Sequence, residues 1–119
     1  MRASFAFVSD LVLVLVFVLI GRASHDENPV LGVLTTLWPF AAGLAIGWAA
    51  SRAWRAPLSI VRSAIPIWIS TVLFGMLLRA VSGQGVQVSF IIVTIVVLAV
   101  FLLGWRAVSS GVRRLRSRS

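Results

Sequence analysis

The sequence predicts an all-α membrane protein, a bundle of four transmembrane helices with both termini on the cytoplasmic side. Three observations predict it. Of the 119 residues, 60% are apolar and only 12% charged, about half the charged share of an ordinary soluble domain. The apolar residues come in four long blocks divided by short polar segments, where a globular core of this size would scatter them. The basic residues, all arginine, gather at alternate ends of those blocks, as topogenic charge does.

The four blocks give helices over about residues 4–22, 30–51, 63–81 and 86–108. Each is close to the roughly 20 residues that a helix rising 1.5 Å per residue needs to cross the hydrocarbon. A membrane barrel would place polar residues at every second position, and these blocks do not. The chain therefore forms one integral membrane domain, 1–119, whose last stretch, 109–119, is a basic cytoplasmic tail.

Helix one shares features with a cleaved leader. Leu11 to Gly21 has the length of a signal-peptide hydrophobic region, and Gly21-Arg22-Ala23 resembles a cleavage site. Against this, Asp10 cancels the charge of Arg2, and the apolar stretch reaches upstream through Phe5, Ala6, Phe7 and Val8. A retained helix is expected. It must begin before Asp10 to be long enough, which puts this carboxylate roughly 8 Å into the membrane. An intramembrane carboxylate is costly and needs a named partner. Arg106 and Arg62 lie at similar depth, so Asp10, Arg106 and Arg62 form a candidate intramembrane ion pair or, alternatively, a proton or cation site.

Helix two contains Trp38-Pro39-Phe40, where Pro39 deletes a backbone hydrogen bond and should kink the helix. Gly43 and Gly47 follow at GxxxG spacing, which lets another helix approach closely. That contact lies within the bundle or between subunits, and the bundle is favoured because four short helices need a close-packed centre. Pro66 suits the first turn of helix three. Trp48, Trp54 and Trp105 are expected at the cytoplasmic headgroup level with their N–H groups wet, and Trp38 and Trp68 between helices.

Orientation follows from the arginines. Arg2, Arg52, Arg55, Arg62, Arg106, Arg113, Arg114, Arg116 and Arg118 fall on one side, and Arg22 and Arg79 on the other. The arginine-rich side should be cytoplasmic. On the outer side Arg22, His25, Asp26, Glu27 and Arg79 form a candidate polar cluster, in which Arg79 can pair with Asp26 or Glu27 and His25 is the one group titrating near neutral pH. Three adjacent residues seldom converge on one ion, so no metal is expected. A shift of 57 residues superposes Gly47-Trp48 on Gly104-Trp105, Arg22-Ala23 on Arg79-Ala80 and Phe17 on Phe74. Two repeated helical hairpins would give this pattern, although total identity is only slightly above what so apolar a sequence shows by chance.

Cysteine is absent, which excludes disulfides and thiolate chemistry. There is no phosphate-binding glycine loop, HExxH or GxSxG, and no cofactor or enzymatic activity is expected. The formal charge of +8 sits on membrane-flanking segments, where arginine attracts anionic lipid, and nothing resembles a nucleic-acid reading helix.

From Asp10 through Gly21-Arg22, Ser24-His25, Trp38-Pro39-Phe40, Gly47-Trp48 and Gly75-Met76 with Arg79, to Gly104-Trp105-Arg106, the chain resembles the domain-of-unknown-function 3054 family. The resemblance implies a small bacterial multi-pass membrane protein and supports an uncleaved helix one. It implies no activity. Two functions are consistent with these features: a structural or accessory protein of the bacterial plasma membrane, working on lipid, a protein partner or a second copy of itself; or a small oligomeric transporter or channel in which Asp10 titrates.

Overall fold

The computed structural model describes residues 3–22, 29–83 and 87–118. Four helices account for most of them: α1 (Ala3–Arg22), α2 (Pro29–Ser51), α3 (Ile65–Val81) and α4 (Val88–Arg118). Each of them, α3 together with the helical turn that leads into it from Ile60, gives a stretch long and apolar enough to cross a membrane, and no strand occurs among the described residues.

The helix ends follow from local chemistry. Pro29 opens α2, where a missing N–H costs nothing. Arg52 ends that helix in the left-handed conformation, with φ 52°, and a short 3-10 turn, Ala53–Arg55, follows. The Ser59 hydroxyl then accepts the Arg62 backbone N–H at 3.1 Å. It thereby caps a π-helical turn, Ile60–Ala64, that leads into α3, with Pro66 in the first turn of that helix. At the far end of α3, Gly83 takes a positive φ of 80°, and the Ser82 N–H closes on the Leu78 carbonyl at 2.9 Å. A glycine in this conformation is a common helix stop.

The helices form a ring in which α1 packs on α2 and α4, and α3 packs on α2 and α4. The bundle measures 50 × 27 × 24 Å. Its closest contact is between α2 and α3, because Gly43 and Gly47 bring the two backbones together. A methyl group on Gly43 would lie 3.0 Å from the Ser70 carbonyl oxygen, and one on Gly47 would lie 3.0 Å from the Ile67 Cα. Ser70 uses this proximity to donate its hydroxyl to the Gly43 carbonyl at 2.8 Å. Other hydroxyls bond within their own helix, Thr71 to Ile67 and Thr94 to Phe90 at 2.7 Å each. No water is available in hydrocarbon, so these bonds are what permit the polar side chains to be there.

In the half of the bundle away from the termini the core is aromatic. Phe17 of α1 meets Phe40 of α2 edge-on at 5.4 Å, and Phe90 of α4 stacks on Phe17 at 6.1 Å. Helix α3 contributes Gly75, where a Cβ would come within 2.4 Å of the Phe40 ring. The space that ring occupies is the side chain Gly75 lacks. Outside, Leu34, Leu73, Ile92 and Val100 are exposed, as lipid-facing side chains should be.

Three expectations change. Helix α4 does not stop near 108 but continues to Arg118 through the basic segment; arginine and leucine are good helix formers, and nothing after Val108 breaks the helix. The third helix is entered through the π-helical turn rather than directly at 63. Trp38 is 44% exposed and points to lipid instead of lying between helices. Pro39, its neighbour, is fully buried.

Gly75→Ala should therefore lower the unfolding free energy in detergent by about 1–3 kcal/mol, as overpacking of a filled core does. Adding Phe40→Leu should recover part of the loss. Gly104→Ala, whose new methyl group would meet nothing within 4 Å, should be neutral or stabilise by up to about 1 kcal/mol.

Candidate functional site

Helix α1 starts at Ala3, so Asp10 stands two turns inside it. Its neighbours on the same face, Ala6 and Val14, are fully buried, as the i±4 spacing requires of a side chain turned into the bundle. From the opposite direction α4, which continues to Arg118, presents Trp105 and Arg106, and α2 presents Trp48 near its close. Three helices thus deliver polar groups to one depth.

There the Asp10 carboxylate meets four donors. Its Oδ1 accepts from Trp105 Nε1 at 2.8 Å and from Arg106 Nη1 at 2.8 Å. Its Oδ2 accepts from Trp48 Nε1 at 2.8 Å and from Arg106 Nη2 at 2.7 Å. A carboxylate has about four lone-pair sites, and all are taken. The arginine engages it through a two-pronged fork, the geometry in which such a pair is strongest.

Arg106 is held equally firmly from behind. Its Nε donates to the Pro57 carbonyl at 2.7 Å, and Nη1 also donates to the Leu102 carbonyl at 2.9 Å. Its Cζ lies 4.7 Å from the Trp105 ring centre. Both charged side chains are 0% exposed. Phe7 closes over Trp48 edge-on at 5.3 Å, and Leu102, one turn before Arg106 on α4, is fully buried. Pro57 belongs to the segment joining α2 to α3, so one guanidinium ties α1, α4 and that connection together.

Burying two ions costs several kcal/mol each before their attraction and hydrogen bonds are counted. A pair that is complete in this way holds its surroundings in place, because any helix rotation would strand a charge.

Arg62 is not part of this arrangement. Its side chain is exposed on the π-helical turn. Pro39, Gly43 and Gly47 lie on α2, the glycines against α3 as described. At the other end of the bundle Arg79 places its Cζ 4.6 Å from the Phe90 ring centre, over the aromatic core. Arg22 falls in the last turn of α1. Its side chain, with His25, Asp26 and Glu27, lies outside the described residues, as does any pairing of Arg79 with Asp26 or Glu27. Among the described residues no three His, Cys, Asp or Glu side chains converge.

Trp48 and Trp105 correct the expectation of wet interfacial indoles, since both N–H groups are spent on Asp10. Trp54 is 51% exposed. The 57-residue shift contained a signal for this: it pairs Trp48 with Trp105, and the two bond opposite oxygens of one carboxylate. Their glycines differ, however, since Gly47 packs tightly and Gly104 faces open space. No sequence feature marks the Pro57 carbonyl as an acceptor.

A family model described as "Protein of unknown function (DUF3054)" matches residues 7–109. The matched segment contains Asp10, Trp48, Pro57, Trp105 and Arg106. No curated protein and no solved structure matches the chain.

Asp10→Ala and Arg106→Ala should each lower stability by about 3–5 kcal/mol, because each leaves the opposite charge buried and alone. The double variant should cost less than the two single losses combined. Arg62→Ala should change stability by no more than about 0.5 kcal/mol. Denaturant unfolding followed by tryptophan fluorescence measures all four.

Proposed function

The chain belongs to the DUF3054 family of proteins of unknown function, and we propose that it is a structural or accessory protein of the bacterial cytoplasmic membrane. In this reading both termini are cytoplasmic, the protein works by packing against lipid or a protein partner, and it catalyses no reaction. The observation that carries the proposal is the state of Asp10. A proton- or cation-coupled carrier needs its intramembrane carboxylate to exchange partners with water during the cycle. Asp10 has four donors and no exposure, and releasing it would leave Arg106 buried without its counter-charge.

Orientation is argued from charge. The end of the bundle that bears Asp10 and Arg106 also carries Arg52, Arg55, Arg62, Arg113, Arg114 and Arg116, and basic residues beside membrane spans favour the cytoplasm. Near an anionic leaflet each contributes about 1 kcal/mol of attraction, which suits a protein whose work is done at the cytoplasmic lipid surface.

The competing reading is a small oligomeric transporter or channel that uses Asp10, and vesicle flux separates the two. Wild-type protein in proteoliposomes under a proton gradient should leak at the rate of protein-free vesicles, and Asp10→Asn should leak no differently. A wild-type flux that Asp10→Asn abolishes, with the variant inserted at equal amount, would overturn the accessory reading. A reporter fused after Ser119 should be active only as an intracellular reporter.

A further inference from the structure

We propose that the groove between α1 and α4 holds one acyl chain of an anionic phospholipid, with its headgroup among the arginines that continue α4. The inference rests on the accessory reading above and deepens it by naming the ligand and its place. The groove has a volume of about 650 Å³, within the range of sites that hold small organic ligands. Phe5, Val8 and Val12 of α1 face Trp105, Val108 and Ser109 of α4 across it. The lining is almost wholly apolar, which suits a hydrocarbon chain.

The level of the groove sets where a headgroup would be. Helix α4 has 31 residues, about 46 Å at 1.5 Å per residue, against about 30 Å of hydrocarbon. Counted from Val88, the helix leaves the hydrocarbon near Val108 and Ser109, which border the groove. Trp105, Ser109, Arg113 and Arg116 follow at spacings of four, four and three, so the face that lines the groove continues outward with two arginines. Arg113 also borders a smaller hollow of about 190 Å³ with Ala56, Pro57, Leu58 and Ser59, a recess beside the basic connection between α2 and α3.

Charge complementarity selects an anionic lipid. The chain has three acidic side chains. Asp10 is consumed by Arg106, and Asp26 and Glu27 follow Arg22 at the opposite end of α1 in sequence. The arginine-rich end is therefore strongly net positive, and lipid phosphate is the anion present at that level. The ligand also bears on the buried pair: Trp105 forms one wall of the groove and donates its N–H to Asp10.

Lipid retention by the full chain tests the proposal. Protein purified with equal phosphatidylglycerol and phosphatidylcholine of matched acyl chains should keep one phosphatidylglycerol per chain, read by native mass spectrometry. Val8→Trp with Val12→Trp fills the groove and should remove that lipid. The control Val61→Trp, at a position 78% exposed, should retain it, and equal melting temperatures show that both variants fold. Arg113→Gln with Arg116→Gln should keep an acyl chain bound but cut the preference for phosphatidylglycerol about thirty-fold. Equal retention of the two lipids by wild type overturns the proposal, as does retention unaffected by filling the groove. Because the chain has no cysteine, Val108→Cys adds a third arm: efficient disulfide cross-linking in native membranes would mean that a second copy occupies the groove. An anionic preference that survives groove filling removes this site and leaves the accessory reading intact, whereas a proton flux in the vesicle assay removes that reading whatever lipid is retained.

Discussion

The ion pair of Asp10 and Arg106 is the constraint on which the rest of the structure depends. In hydrocarbon neither charge can be left to water, so each must find its full complement of partners inside the bundle. Those partners come from α1, α2, α4 and the connection before α3. Meeting the need fixes the rotation of three helices, the depth of α1 and the path of the connection. Apolar packing alone would set none of these uniquely, because the helices are apolar all round and lipid is as good a solvent for leucine as a neighbouring helix is.

A second layer supplies shape where the first supplies direction. In the far half of the bundle Phe17, Phe40 and Phe90 fill the centre, and Gly75 leaves room for the Phe40 ring. Between the layers Gly43 and Gly47 bring α2 against α3 at backbone contact. Close approach matters more in a membrane than in water, since van der Waals contact replaces the hydrophobic effect as the attraction between helices. The two layers therefore divide the task, with polar saturation at the arginine-rich end and steric fit at the other.

How much of this was legible in the sequence depends on what hydropathy encodes. Block length gives the number of helices and the depth of each residue, and depth was enough to put Asp10 within the membrane and to name Arg106 and Arg62 as the cations at its level. Choosing between them required azimuth, which a helix without a polar face does not reveal. For the same reason Trp38 was expected inward and Trp48 and Trp105 wet, when the first faces lipid and the others bond a carboxylate. Indole at membrane-edge depth is ordinarily solvated, and only a buried acceptor makes it otherwise. Gly75 sat in view without a signal, because its role is defined by a ring from another helix. The end of α4 was misplaced because hydropathy marks where hydrocarbon stops, while the helix stops where propensity and capping allow.

Hydrogen exchange at the indole N–H groups tests the central claim most directly. If Asp10 holds Trp48 and Trp105 in a sealed node, their Nε1 protons should exchange with solvent orders of magnitude more slowly than that of exposed Trp54, and Asp10→Ala should bring all three to similar rates. Exchange of Trp48 and Trp105 as fast as Trp54 in the unaltered protein would mean that water reaches the carboxylate, and would contradict the account.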